Sequence, residues 1–163
     1  MRRNLIPLLP AVIVMQLPAM AQEPIPYGTP INLETALKVV AAAEAEAKKQ
    51  NWPVAITVVD SAGFLVAFHR LDNTQLGSVE VSLEKAKSSA LFRRATRTYE
   101  ETLAQGGANL KVLRSPAMPI EGGLPILRDG KIIGAIGVSG VKSTEDAQVA
   151  RAGLAALEGA KAK

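Results

Sequence analysis

The sequence has 163 residues, of which 48% are hydrophobic, 4% are aromatic and none is cysteine, and its formal net charge is +4. A chain of this length and hydrophobicity fits one domain that forms its core without disulfides, and the lack of cysteine also excludes a thiolate metal site and covalent attachment of haem. The weak positive charge and the few aromatic residues argue against nucleic-acid binding, which needs a concentrated basic surface or rings on which bases stack.

The N-terminus has the pattern of a signal peptide. Arg2 and Arg3 give a positive start, an apolar stretch follows, and Ala19 and Ala21 stand two apart, as in the small-residue motif before a cleavage site. The alternative is a membrane anchor, but a spanning helix needs about 20 apolar residues, whereas this stretch is shorter and broken by prolines. We therefore expect residues 1–21 to be removed, and the product to be periplasmic or secreted, without a transmembrane segment.

The mature chain is expected to begin with an extended lead-in over 22–31, because Pro24, Pro26 and Pro30 disfavour regular structure. One domain then follows over 32–163. Hydrophobic periodicity and turn signals predict a helix, a hairpin, two helices, a second hairpin and a final helix. The expected bounds, in chain order, are 33–51, 54–59, 64–71, 79–95, 98–105, 124–127, 132–138 and 144–157. This order indicates an α+β domain around an antiparallel sheet.

Capping and turn residues support these bounds. Asn32 can cap the first helix with its side chain, and Gly106 and Gly107 can end the third helix. Gly63 and the pair Asp129-Gly130 are typical of the short loops that join hairpin strands, because such loops need positive φ. Each hairpin therefore has its own turn signal.

The strand at 64–71 is apolar on both of its faces. Leu65, Ala67 and Leu71 are expected to share one face with His69, and the other face is apolar as well. A half-exposed antiparallel strand alternates apolar with polar residues. Because this strand is apolar on both faces, each face is expected to be covered by another element or molecule. We expect helices on one face and a ligand or a second subunit on the other, and hence association of subunits.

A glycine-rich run at 134–140 ends a strand shortly before a helix, a position at which nucleotide sites occur. Its spacing does not fit the dinucleotide motif, and no lysine stands where a phosphate-binding loop needs one. Glycine inside a strand is instead typical of close approach by another backbone or by a flat ligand. Gly134 and Gly137 are therefore predicted to mark close packing or a flat cofactor.

His69 is the only histidine, and the lack of cysteine beside it argues against a zinc site. A Ser-His-Asp site would need serine and aspartate partners from elsewhere in the fold, and nothing in the sequence resembles a nucleophile elbow. The simplest interpretation is a histidine near the end of a strand that is hydrogen-bonded to a neighbour.

Arg93, Arg94 and Arg97 form a basic group, and Lys87 shares one helical face with Arg94 and Arg97. Such a group is commonly a solvated face. It is also suited to an anion, because guanidinium groups bind carboxylates and phosphates through two hydrogen bonds. On the residues alone, both interpretations stay open.

Four stretches in a fixed order carry a resemblance to a known family: VVDSAGFLVAFHRLDNT at 58–74, EKAKSSALF at 84–92, GGLPILRDGKIIGAIGVSG at 122–140 and TEDAQVARAG at 144–153. They resemble the GlcG/HbpS-like haem-binding domain family, whose members include the C-terminal domain of some PduO-type corrinoid adenosyltransferases. The resemblance covers about residues 31–160, nearly the whole mature chain. Asn73 stands where glycine is usual in the family, but asparagine also adopts positive φ, so the turn is expected to persist.

The resemblance implies a five-stranded antiparallel sheet with helices packed on it, in a profilin/PAS-like three-layer arrangement. It also implies homo-oligomers and haem as the cofactor, and some members of the family degrade haem or hold iron. The expected function is therefore that of an exported protein that binds haem in order to sense, store or scavenge haem or iron. The alternatives are an enzyme that acts on haem or a small-molecule cofactor, and a ligand-free oligomeric accessory protein.

The resemblance to haem-binding proteins gives a role to a small set of side chains. Protein ligands to haem iron are usually histidine, cysteine, methionine or tyrosine. Such residues after the leader are few, namely His69, Met118, Tyr27 and Tyr99. Imidazole is the commonest strong ligand among them, so the iron is assigned to His69. The two propionates of the haem are assigned to Arg93, Arg94 and Arg97.

Overall fold

The computed structural model describes residues 23–158, and the predicted signal peptide lies outside them. Within this range the chain forms four α-helices, one 3₁₀ helix and four strands. In chain order these are α1 (Leu33–Gln50), β1 (Ala55–Asp60), β2 (Leu65–Arg70), α2 (Ser78–Leu91), α3 (Arg97–Ala104), the 3₁₀ helix (Gly107–Arg114), β3 (Gly123–Arg128), β4 (Lys131–Ser139) and α4 (Ser143–Glu158). The predicted α+β class is confirmed, as is the predicted order of α-helices and hairpins.

The strands form one antiparallel sheet in the order β2-β1-β4-β3, so each hairpin supplies one half of it. The centre of the sheet is the pairing of β1 with β4, which extends from Ala55 opposite Ser139 to Asp60 opposite Gly134. The five strands implied by the family resemblance are wrong for the described residues, because their sheet has four strands.

The lead-in runs beside β4 without becoming a fifth strand. Gly28 N donates to the Ile132 carbonyl at 2.8 Å, and Ile132 N donates to the Pro26 carbonyl at 2.9 Å. These bonds make a single isolated parallel bridge at Tyr27. The prolines of the lead-in lack the N–H groups that a continuous ladder requires, so the further pairing with β4 is a single bond from Ile31 N to the Ile133 carbonyl at 2.7 Å.

Helices cover both faces of the sheet. α1 and α4 pack against each other and against one face, while α2 packs on the opposite face against β1, β4 and β3. The core on the α1 side is the larger one, and its fully buried members include Val40, Ile56, Ile136 and Val149. The core on the α2 side is smaller and is built on Val59, Ala86, Ala90 and Ala135. The sheet is thus the middle of three layers.

Gly137 lets α2 lie directly on β4. A Cβ atom at Gly137 would lie 2.1 Å from the Ser82 carbonyl oxygen and 2.5 Å from the Ala86 nitrogen. A Cβ atom at Gly134 would lie 2.4 Å from the Val59 carbonyl oxygen. Of the two interpretations of these glycines, close packing is correct, because another backbone already occupies the space that a flat cofactor would need.

Two turns of the chain form as their asparagines predict. Asn32 Oδ1 accepts a hydrogen bond from Thr35 N at 3.0 Å and so caps α1. At the other end of α1, Gln50 is followed by the C-cap residue Asn51 in the left-handed conformation, with φ 57°. Asn73 also takes a positive φ, of 63°, and so replaces the glycine that is usual in the family.

The region after α2 differs from the prediction. The helix expected over 79–95 ends at Leu91, because Arg93 takes a φ of 57°, which no α-helical residue adopts. The 3₁₀ helix Gly107–Arg114 is a further element that the sequence pattern does not predict. None of its residues is buried, so no apolar stripe marks it.

An irregularity in β2 divides its apolar side chains between the two faces. Val58 lies opposite Ala67 but Val59 lies opposite Leu65, so the register shifts by one residue between them. The expectation that Leu65 shares a face with Ala67 and His69 is therefore wrong. Ala67 is buried in the core on the α1 side, whereas Leu65 follows Val59 to the α2 side and is 58% exposed.

A buried ion pair joins α2 to α4. The Nζ atom of Lys85 donates to Asp146 Oδ2 at 2.8 Å and to the Val138 carbonyl at 2.9 Å, and Val141 N donates to Asp146 Oδ1 at 3.1 Å. Burial raises the pKa of the Asp146 carboxyl, because the loss of hydration outweighs the attraction of the Lys85 ammonium. The pair fixes the start of α4 against the sheet.

Candidate functional site

His69 lies near the end of β2, on the face of the sheet that α1 covers. Its register partner is Ile56, which is buried in the core on the α1 side. Residues directly opposite on paired strands share a face, so the imidazole also lies on the α1 side. There His69 Nδ1 lies 2.5 Å from Oε2 of Glu44, a residue of α1. The interpretation of His69 as a histidine bonded to a neighbour is confirmed.

Glu44 is held between two partners. Its Oε1 lies 2.5 Å from Nζ of Lys48, one helical turn further along α1, while its Oε2 bonds to His69. The hydrogen bond from Lys48, and after it the one from His69, hold the pKa of the Glu44 carboxyl below its ordinary value. The carboxylate is therefore ionised at neutral pH and can only accept hydrogen bonds.

An ionised Glu44 fixes the tautomer of a neutral His69. Because the carboxylate only accepts, Nδ1 carries the proton and donates it, which leaves the lone pair on Nε2. The His69 side chain is 44% exposed, and within residues 23–158 no hydrogen bond engages Nε2. A carboxylate on one ring nitrogen and an open second nitrogen is the arrangement typical of metal-binding histidines.

The imidazole borders a surface cavity of about 380 Å³ at the free edge of β2. Because β2 is the outermost strand, side chains from both faces reach this edge. Phe68 and Leu71 give the cavity apolar walls, and Lys48 and Arg70 give it positive charge. Glu44 and Asp72 contribute two negative charges to the lining. The site thus combines an open imidazole nitrogen with two apolar side chains and with charged side chains of both signs.

Arg93 and Arg94 lie just after the end of α2 and stack on two tyrosines. The guanidinium carbon of Arg93 lies 5.4 Å from the centre of the Tyr27 ring, and that of Arg94 lies 5.8 Å from the centre of the Tyr99 ring. Tyr27 also donates its hydroxyl to the Ala90 carbonyl at 3.0 Å. These contacts tie the lead-in and α3 to the end of α2.

The other two predicted residues are near this group. Arg97 forms its own ion pair, with Nε 2.7 Å from Oε1 of Glu101, and this bond raises its pKa. Met118 follows the 3₁₀ helix, and its backbone N donates to Oγ of Ser88 on α2 at 2.8 Å. Met118 and the arginines at the end of α2 lie on the α2 side of the sheet, whereas His69 lies on the α1 side and Arg97 lines a cavity with Arg151 of α4. The structure therefore brings Arg94 and Tyr99 together, but the sheet separates them from His69.

Glu44, Lys48 and Arg70 belong to the site but are not singled out by the sequence. Glu44 and Lys48 have the i, i+4 spacing of a helical ion pair, yet Glu34 and Lys38 have the same spacing on the same helix. The contact with His69 depends on how α1 crosses β2, which no local pattern encodes. Arg70 follows His69 directly, and that adjacency is the one signal that points to it.

The described part of the chain contains neither a cluster of metal-binding side chains nor a membrane-spanning helix. Residues 23–158 contain no group of three or more histidine, cysteine, aspartate or glutamate side chains that could hold a metal ion. None of the helices in that range is both long and apolar enough to cross a membrane.

Known proteins resemble this chain over most of its length. A family model described as "Haem degrading protein HbpS-like" matches residues 31–155. Protein GlcG of Escherichia coli K12 is 42% identical over 109 residues, which cover 67% of this chain and 81% of GlcG. The crystal structure of Klebsiella pneumoniae protein ORFY has a TM-score of 0.75 at 27% identity, with 88% of this chain and 98% of ORFY covered. The crystal structure of a PduOC–haem complex has a TM-score of 0.71 at 26% identity, with 78% of this chain and 95% of PduOC covered.

Proposed function

This chain belongs to the HbpS-like family, and on that premise we propose that it binds haem beside the pair His69 and Glu44. The observation that carries the proposal is the 2.5 Å contact between His69 Nδ1 and Glu44 Oε2, which leaves Nε2 as the open ring nitrogen. The description of the family as haem-degrading and the haem held by the related PduOC structure both support haem as the ligand.

The residues around His69 fit a haem. Histidine is a common protein ligand to haem iron, and a carboxylate on its second nitrogen orients the ring and raises its basicity. Lys48 and Arg70 would hold the propionates, since both line the same cavity and carry positive charge. Phe68 and Leu71 would contact the apolar porphyrin. When bound, haem supplies an iron that can change its oxidation state; the chain contributes the ligand, its orientation and the charge around it.

A hemin titration of the mature chain tests this proposal. We expect a saturable change in the Soret band, and we expect His69→Ala to weaken the affinity by at least about tenfold, or 1.4 kcal/mol, and to shift the band. Met118→Leu and Tyr99→Phe serve as controls that remove the other candidate ligands and should leave the titration unchanged. A chain without a saturable Soret change, or one whose titration is the same after His69→Ala, contradicts the proposal.

Degradation of haem is the second candidate, and the description of the matched family favours it. A binding protein and a degrading enzyme differ in what happens after haem has bound. The haem complex with ascorbate as reductant should keep its Soret band if the chain only binds haem. Progressive loss of the band, faster than that of free hemin under the same conditions, would indicate an enzyme.

We further propose that the protein is exported and assembles into homo-oligomers in which it senses, stores or scavenges haem. The pattern of residues 1–21 supports export, and intact-mass analysis of exported protein should then show a chain that begins at Gln22. Phe64 and Leu65, which are 72% and 58% exposed, support association through β2. Light scattering that reports a monomer at micromolar concentration would contradict the assembly.

A further inference from the structure

The 3₁₀ helix Gly107–Arg114 and the preceding α3 lie outside the core of the domain. None of the residues in either helix is buried. The 3₁₀ helix packs mainly against α3, and its last turn closes where Ser115 N donates to the Val112 carbonyl at 2.9 Å. The segment therefore stands on the surface of the domain, and most side chains of the 3₁₀ helix are exposed to solvent.

The three-residue turn of a 3₁₀ helix sorts its side chains into three ridges, because side chains at i and i+3 lie above one another. The ridges are, in order, apolar, cationic and mixed: Leu110 with Leu113, Lys111 with Arg114, and Asn109 with Val112. The first two ridges are exposed, whereas the mixed one is half-buried and so is the one turned toward the rest of the chain. Two leucines are too few to predict this helix from the sequence, but its turn brings them to the same side.

The leucine ridge is open to solvent. Leu110 is 51% exposed and Leu113 is 62% exposed. Single exposed leucines are common on folded proteins, but two in one ridge can be buried together by one partner surface. The removal of apolar area from water favours such a contact.

The cationic ridge beside the leucines has no carboxylate partner. Within residues 23–158, neither Lys111 nor Arg114 forms a hydrogen bond or an ion pair through its side chain. The two carboxylates of α3 are engaged elsewhere. Glu101 Oε1 lies 2.7 Å from Nε of Arg97, and Glu100 Oε1 accepts a hydrogen bond from a serine hydroxyl of α4 at 3.1 Å. The two cations of the ridge are therefore free to bind an anionic partner.

We propose that the two exposed ridges, Leu110 with Leu113 and Lys111 with Arg114, dock the protein on an anionic lipid bilayer. Such a bilayer has apolar chains directly beneath a layer of negative headgroups, so it offers a partner to each ridge. The leucines enter the boundary of the acyl chains. The two cations lie among the headgroups, and their long stems contact apolar surface. The surrounding chain has the same sign, because residues 92–120 contain five basic and two acidic residues.

The exposed position of the two ridges favours a lipid surface as the partner. They lie next to each other on a helix outside the core, so one flat surface can contact both. A bilayer is soft and receives a protruding ridge without a groove of matching shape. Two leucines and two cations predict weak, reversible binding that depends on salt, rather than permanent anchoring.

Co-sedimentation of the mature chain with lipid vesicles tests the proposal. The mature chain is used because residues 1–21 are themselves largely apolar. At low salt, we expect saturable binding to vesicles of phosphatidylglycerol and phosphatidylcholine in equal amounts. Binding to vesicles of phosphatidylcholine alone should be about thirtyfold weaker, because each cation near an anionic surface contributes a factor of about five. High salt should weaken binding to the anionic vesicles.

Two double variants separate the cationic ridge from the total charge of the protein. Lys111→Gln with Arg114→Gln should weaken binding to the anionic vesicles by about thirtyfold. Lys38→Gln with Lys49→Gln is the matched control, since it removes the same charge from two side chains of α1 that are 62% and 74% exposed. The control should weaken binding by less than about threefold.

A third double variant tests the leucine ridge. Leu110→Ser with Leu113→Ser should weaken vesicle binding by at least about tenfold, and the fold should tolerate it because both leucines are exposed. Absence of saturable binding to anionic vesicles, or equal binding by the cation variant and its α1 control, overturns the proposal. If the leucine variant dissociates an oligomer in light scattering and vesicles do not bind, the ridge is a contact between copies of the chain, which also overturns it. His69→Ala should bind vesicles like the unmodified chain, so the result is independent of haem binding.

Discussion

The Nζ atom of Lys85 lies 2.8 Å from Asp146 Oδ2, and the two side chains are only 1% and 2% exposed. Removing one partner leaves the other as an unpaired buried charge, which costs about 3–5 kcal/mol. We therefore expect Lys85→Met to lower the free energy of unfolding by about this amount, as measured by urea denaturation. Lys87→Met, two residues further along α2 and partly exposed, is the control and should cost less than about 1 kcal/mol.

The double variant Lys85→Met with Asp146→Asn separates the ion pair from the packing around it. It removes both charges, so it should recover part of the stability that Lys85→Met alone loses. If Lys85→Met alone is as stable as the unmodified chain, the buried pair contributes nothing to the free energy of unfolding.

Ser88 and Ser89 are neighbours on α2 with opposite expected effects. Ser89 Oγ is buried and has no hydrogen-bond partner among the described residues, whereas Ser88 Oγ accepts from Met118 N at 2.8 Å. Ser89→Ala should therefore raise the free energy of unfolding by about 1 kcal/mol, and Ser88→Ala should lower it by about 1 kcal/mol. Thermal and urea unfolding of the two variants measure the difference. Equal effects of the two substitutions would contradict this account of Ser89.

The contacts of Glu44 make a small part of the stability depend on pH. Its pKa is lower in the folded chain than in the unfolded one, so the folded state binds fewer protons there. The stabilisation of the folded state by Glu44 is therefore fully present at pH values above the ordinary titration range of glutamate. It is lost as the pH falls through the lowered pKa. Glu44→Gln should be less stable than the unmodified chain by up to about 1 kcal/mol at neutral pH, and equally stable in acid once the pH is below the lowered pKa of Glu44. A difference that persists in acid would rule out the carboxylate as its source.

Arg70 and Arg94 distinguish two ways of holding the haem propionates. Arg70 lines the cavity at His69, whereas Arg94 stacks on Tyr99 in the α2 layer. If His69 is the iron ligand, Arg70→Gln should weaken hemin by about three- to fivefold, and Arg94→Gln should leave the affinity unchanged. Soret titrations of both variants decide between them. The reverse result would assign the propionates to the arginines after α2 and would exclude His69 as the ligand of the same haem.

The elements of this fold could be predicted from local patterns because each is marked by its own residues. Asn32 caps α1, and Asp129 with Gly130 turns the second hairpin between β3 and β4. The same local signals predict the wrong face for a side chain where the register between two strands shifts. Alternation along the sequence assigns Leu65 to the face of Ala67, but the register shift opposite Val58 and Val59 moves it to the other face.

The candidate site was predicted only in part, for a related reason. The sequence identifies His69 by its rarity, but its partner Glu44 lies on a helix that precedes both strands of the hairpin. The sequence also does not predict the burial of Lys85, because a lysine on a helix is normally expected to face solvent. These contacts follow from how α1 and α2 cross the sheet, which is decided by packing across the whole chain.

The pairing of β1 with β4 at the centre of the sheet has a consequence for how the chain folds. Ala55 pairs with Ser139, a residue about half the chain away, while each hairpin pairs residues that are close in sequence. Contacts between distant residues form slowly, because a long loop must close before they stabilise anything. The two hairpins should therefore form early and their junction late. During synthesis the junction cannot form until residue 139 has left the ribosome, so most of the nascent chain is made before the domain can close.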